Sequence, residues 1–135
     1  MLGIDTNVLL RLLIADDAAQ TRRARRLVET SLARNEPILV SLLVMIEAER
    51  VLRSRYEFDK SESVAALHRL LEARELASED EPAIEEALFH WKNSTAGFTD
   101  CLIAAHNRRV GCHATATAFS RRTWTSPSAG SACVR

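Results

Sequence analysis

Three acids of this 135-residue chain stand in apolar company: Asp5 in LGIDTNVLL, Glu47 in LLVMIEAERV and Asp100 in GFTDCLIAAH. Carboxylates brought together repel one another, and a hard divalent cation is the usual answer. Mg²⁺ and Mn²⁺ prefer oxygen ligands and keep several waters in their shell. Such a site activates water and stabilises charge on a phosphoryl oxygen. Asp100 is the most conspicuous of the three, because no other acid occurs between Glu86 and Arg135 while six bases do.

Each acid also has a plain structural explanation. Asp5 falls where a first strand meets a first helix, the place where ligands gather in open α/β sheets. A turn or capping aspartate would sit there too, although Thr6 and Asn7 compete for the cap. Glu47 has Leu43, Val44 and Val51 at i−4, i−3 and i+4, which puts it on an apolar line. An ionised Glu is costly there unless compensated, and a Glu47–Arg50 pair at the core edge is the simple alternative. Glu49 reads differently, as a partner of Arg53 on a solvated face. Asp100 could cap the helix DCLIAAHNRR. Taken together, three acids beside elements that converge in one domain favour a shared site.

The elements that must position them alternate. LGID is a short strand running into the helix TNVLLRLLI. A second helix, DDAAQTRRARRLVETSLAR, carries Ala18, Ala24, Leu27, Val28 and Leu32 on its apolar side. PILVS reads as a buried strand, LLVMIEAERVLRSRY as a helix, and DKSESVAALHRLLEAR as a helix opened by a capping residue, with Val64, Leu67, Leu70 and Leu71 at 3–4 spacing. ELASE, the helix EPAIEEALFHWK, the loop NSTAG, the helix TDCLIAAHNRRV and a late strand CHATATAF follow. Strands separated by helices predict an α/β domain with a parallel sheet and right-handed crossovers. No repeat or linker divides it.

Composition bounds the class. Hydrophobic residues at 47% and charged residues at 27% suit a globular domain and exclude disorder. Three cysteines without CxxC spacing favour reduced thiols over disulfides or zinc. No signal segment is evident, and PILVSLLVMI is about half the length that spans a bilayer. A cytoplasmic protein that does not enter a membrane is expected. Net charge is zero, yet sixteen of the 18 bases are Arg and residues 101–135 hold five bases and no acid.

The blocks MLGIDTNVLLRLL, VSLLVMIEAERVLRSRY and GFTDCLIAAHNRRVGC, in that order, resemble the PIN-domain ribonucleases, in particular the VapC-type toxins of toxin–antitoxin pairs. The similarity runs from residue 1 to about 117. It implies a three-layer α/β domain with a central parallel sheet of four or five strands flanked by helices, and a Mg²⁺- or Mn²⁺-dependent cut in RNA that leaves 5′-phosphate and 3′-hydroxyl ends. It implies that Asp5, Glu47 and Asp100 are the catalytic and metal-binding acids. Thr6, Asn7, Thr117 and Ser120 would support them. The implied partners are a cognate antitoxin and an RNA substrate, in a homodimer or a higher toxin–antitoxin assembly.

Two positions depart from the family pattern. Gly97 stands where an Asp is frequent, and TAFSRRT puts Ser120 where relatives offer a fourth acid, with Ala118 as an extra residue. The domain is therefore expected over 1–120, followed by a divergent, poorly packed tail over 121–135. The alternative to a working ribonuclease is an impaired PIN-like module that mainly binds the antitoxin or RNA. An unrelated α/β phosphotransferase lacks support from any DxDx motif or P-loop. Arg108, Arg109, Arg121 and Arg122 are the preferred phosphate contacts. Arg22, Arg23, Arg25 and Arg26 read first as a solvated helix face, with a lining of the RNA path as the alternative. His68, His90, His106 and His113 read as structural or surface residues, and Trp91 as core or interface.

Overall fold

The computed structural model describes residues 1–116. Two compact units divide the chain, Met1–Glu81 and Pro82–Arg135. The first holds a parallel sheet of three strands in the order β1 (Leu2–Gly3), β2 (Ile38–Val40), β3 (Leu76–Ser78). Leu2 pairs with Ile38 and Ile38 with Leu76, so the register is even across the sheet. Neighbouring parallel strands cannot be joined by a tight turn. Each connection is therefore a pair of helices, α1 (Thr6–Leu13) with α2 (Ala18–Ala33), then α3 (Leu42–Ser54) with α4 (Lys60–Glu72). Ile38 and Val40 of the central strand are fully buried.

Local chemistry sets the helix boundaries. Asp17 caps α2, accepting from Gln20 N–H at 2.9 Å. The helix ends in a Schellman turn: Asn35 takes a left-handed conformation (φ 52°), while Glu36 N–H reaches Ser31 C=O at 2.9 Å. Asp59 and Glu62 form a reciprocal capping box at the start of α4. Val64, Leu67 and Leu70 are buried as the 3–4 spacing predicted, with Leu71 half-buried.

Two helices turn a different face inward from the one expected. In α2 the buried residues are Thr21, Ala24, Val28 and Ser31, while Leu32 is half exposed and Ala18 is exposed. In α3 they are Met45, Ala48, Glu49 and Leu52. The run Leu42–Ile46 is apolar on every side, so it offers no phase, and small or short polar residues face the interior of α2 instead. Glu49 is therefore not on a solvated face: it is 2% exposed, and its pairing with Arg53, correctly expected, takes place at the edge of the core.

The second unit contains α5 (Glu81–Asn93, whose first residue closes the first unit) and α6 (Phe98–Arg109). Trp91 is 4% exposed, and its ring lies 5.4 Å from that of Phe98. Arg108 forms an ion pair with Glu86, which also stands 3.6 Å from His90. Gly111 at φ 104° closes α6, with Cys112 N–H bonded to Asn107 C=O at 2.9 Å. In the segment read as a late strand, Thr115 makes an isolated bridge and its hydroxyl accepts from Asn107 at 3.2 Å. No helix among the described residues is long and apolar enough to cross a membrane.

Candidate active site

The carboxyl ends of the three strands lead into Asp5, Ser41 and Glu79. Asp5 is the N-cap of α1: its Oδ1 accepts from Val8 N–H at 2.9 Å. Neither Thr6 nor Asn7 fills that role, because each already has helical geometry as the first and second residue of α1. Asp5 Oδ2 receives no hydrogen bond among the described residues and is left to solvent.

Thr6 is turned inward, 7% exposed, and its Oγ1 donates to Glu47 Oε2 at 2.8 Å. This bond joins the first turn of α1 to the middle of α3 across 41 residues of sequence. Glu47 itself is exposed, as is Leu43 one turn earlier, at 78%. The apolar line read around Glu47 is thus not a core stripe: Val44 and Val51 are half-buried and Leu43 is exposed. The Glu47–Arg50 pair considered as its alternative does not form: Arg50 has no ion pair among the described residues. Asn7 is exposed and makes no hydrogen bond among the described residues.

Asp100 lies in the second unit, in the first turn of α6. It does not cap that helix, because Gly97 occupies the N-cap with extended geometry and no capping side chain. The helix starts one residue earlier than TDCLIAA suggests, since Phe98 is apolar and buried at its first position. A Cβ built on Gly97 would lie 4.0 Å from Asp100 Oδ2. An acid at position 97 would therefore stand beside Asp100, and here that companion is absent. Asp100 makes no hydrogen bond or ion pair among the described residues.

Glu79 was not anticipated. Directly after β3, its N–H donates to Val40 C=O at 2.9 Å, while its Oε2 accepts from Leu42 N–H at 2.9 Å. One residue thereby closes the β2–β3 edge and satisfies a donor at the start of α3, whose cap is Ser41. The sequence signal was weak, because an acid after a short strand is common. Of the arginines preferred as phosphate contacts, Arg108 is engaged by Glu86 and Arg109 is exposed. Thr117, Ser120, Arg121 and Arg122 lie outside the described residues. Among the described residues no group of three or more His, Cys, Asp or Glu side chains is assembled as a metal site.

A family model, the PIN domain, matches residues 3–118. The chain belongs to the PIN-domain family. In this PIN domain the match spans all three acidic blocks and both compact units, and it bears out the family and the α/β class with a parallel sheet. Among solved structures, the PIN chain is similar to VapC20 of Mycobacterium tuberculosis, described as a sarcin-ricin loop cleaving toxin. The two share 23% identity with a TM-score of 0.42, over 84% of this chain and 85% of that one. No curated protein matches the chain.

The donor chemistry fits a hard cation. Asp5 Oδ2, Glu47 Oε1 and both Asp100 oxygens are carboxylate atoms uncommitted within the described residues. They belong to exposed residues, and carboxylate oxygens are the donors that hard divalent cations prefer. Asp5 and Asp100 also stand at helix starts, where the backbone dipole favours negative charge.

Proposed function

We propose that this PIN domain is a divalent-metal-dependent endoribonuclease, acting as the toxin of a toxin–antitoxin pair and silenced by its cognate antitoxin. The observation that carries this reading is the Thr6–Glu47 hydrogen bond beside Asp5, which connects two of the three acidic blocks matched by the family model. Asp5, Glu47 and Asp100 would hold Mg²⁺ or Mn²⁺. When bound, the cation would neutralise charge on the scissile phosphate and acidify the attacking water.

The chain's own residues do the rest. Asp5 divides its two oxygens, one fixing the helix start and the other facing outward. Thr6 holds one oxygen of Glu47 and so aims the other. Asp100 presents an unshared carboxylate from the first turn of α6. Thr117 and Ser120 are proposed to support the site with hydroxyls, and Asn7 with its exposed amide. With Ser120 in place of a fourth acid, a second cation position would be the weaker one. The functional assembly is proposed to be a homodimer, or a larger complex with the antitoxin, in the cytoplasm.

The test is cleavage of an end-labelled RNA in Mg²⁺ by wild type, Asp5→Asn and Asp100→Asn. Cleavage is expected to disappear in both variants with the fold retained; persistence of Mg²⁺-dependent cleavage in both overturns the assignment. Gly97 favours a second reading, an impaired module that keeps the antitoxin or RNA. Calorimetric titration with Mn²⁺ separates the two, since the module would neither bind the ion nor cut.

A further inference from the structure

We propose that the face of α2 carrying Arg23 and Arg26, continued by the C-cap residue Arg34, is a second RNA-contact groove, which grips backbone phosphates away from the cleaving carboxylates. This rests on the ribonuclease reading above. The three arginines line one cavity of about 390 Å³, together with Leu2, Leu27 and Glu36. Steps of three and eight residues bring them onto one face of the helix and its C-cap. At a rise of about 1.5 Å per residue they extend over roughly 16 Å. That length accompanies several nucleotides, since strand charges recur every ~3.4 Å of duplex axis.

The three arginines outnumber the one acid of the groove. None of Arg23, Arg26 and Arg34 has an ion pair among the described residues. Glu36, the acid at the groove, faces the N-terminal amine at 3.6 Å. Arg22 and Arg25 are exposed as well, so positive charge continues around the helix. A planar guanidinium suits bidentate contact with phosphate, and a row of them suits a polyanion whose charges repeat regularly. Leu2 opens β1 and Asp5 follows that strand's other end, about 10 Å away at a strand's rise. A strand of RNA lying in the groove is thus a few nucleotides from Asp5.

The experiment measures binding of a fluorescent single-stranded RNA to the full chain in EDTA between 50 and 200 mM salt. Three lost phosphate contacts are expected to lower the slope of log affinity against log salt by about 2, at ~0.7 per contact. The Arg23→Ala/Arg26→Ala/Arg34→Ala variant should therefore bind more weakly at low salt and converge on wild type at high salt. Replacing the same three by Lys should keep the slope. If the alanine variant does not fold, Arg26→Glu gives the same direction of change. An unaltered slope overturns the groove, as does an oligoglutamate peptide binding the wild type more tightly than RNA of equal charge. Mg²⁺ cleavage run in parallel keeps the two proposals apart. Cleavage with an unchanged slope sinks the groove alone, whereas a lowered slope without wild-type cleavage supports the groove and sinks the nuclease reading.

Discussion

Thr6 and Glu47 are hydrogen-bonded at 2.8 Å, a buried hydroxyl holding an exposed carboxylate. The donor sits in the first turn of α1 and the acceptor midway along α3, so the bond registers two helices that begin at neighbouring strands. It also leaves Glu47 Oε1 without a hydrogen bond among the described residues.

Thr6→Val keeps the shape and removes the donor. We expect Mn²⁺ affinity, read by calorimetry, to fall by about 10- to 100-fold, the usual cost of losing a ligand's supporting hydrogen bond. Stability should change by only about 1 kcal/mol. Thr6→Ser should restore most of the affinity. Equal affinities in Val and Ser variants would show that the bond does not position Glu47.

Asp5 combines two jobs that substitution can separate. Asparagine retains an oxygen for the Val8 N–H, so Asp5→Asn should unfold within a few tenths of a kcal/mol of wild type, whereas Asp5→Ala should lose about 1 kcal/mol through the missing cap. Both should lose Mn²⁺ binding. Chemical denaturation checks the first statement and calorimetry the second. An Asn variant that binds Mn²⁺ as wild type does would leave Asp5 as a cap alone.

These two residues show how far the sequence could be read. The order of strands and helices followed from apolar spacing and capping residues, and the family from three short blocks. Helix phase did not follow in α3, because Leu42–Ile46 is apolar all round and nothing local says which side packs. Glu47 was placed on the buried side and Glu49 outside, and the fold reverses them. The cap at Asp5 was masked by two good competitors in Thr6 and Asn7. Glu79 was missed because its role, an acceptor for Leu42 N–H, depends on β2 and β3 lying side by side. Asp100 gave a strong signal through charge pattern, yet its place in the first turn of α6 depends on Phe98 being buried.

Glu49 offers a test of packing rather than chemistry. It is 2% exposed and takes Arg53 Nε on one oxygen and Arg53 Nη2 at 3.4 Å on the other. Arg53 is half exposed, which tempers the strength of the pair. Removing it strands a carboxylate in the core. Arg53→Ala should cost about 2 kcal/mol in urea unfolding, and Glu49→Gln in that background should recover part of the loss. No recovery would mean that the cost arises from lost packing of the arginine stem.

The loop between α1 and α2 supplies a pH dependence. Asp16 accepts from Arg11 at 2.6 Å and from the Tyr56 hydroxyl at 3.1 Å. Burial pushes its carboxyl up, but the hydrogen bonds from Arg11 and Tyr56, with the Arg11 charge, outweigh that and hold it below its ordinary 3.8. A carboxyl that releases its proton more readily in the folded chain stabilises the fold when ionised. The contribution is present above pH ~3.8 and is lost as pH falls through the lower, folded value. Wild type should therefore be more stable than Asp16→Asn at pH 6, and the gap should close below pH ~3.8. Melting temperatures of both proteins from pH 6 to pH 2.5 check this. A gap that stays constant would assign the difference to geometry instead of charge. Tyr56→Phe should narrow the same window without closing it, because Arg11 remains.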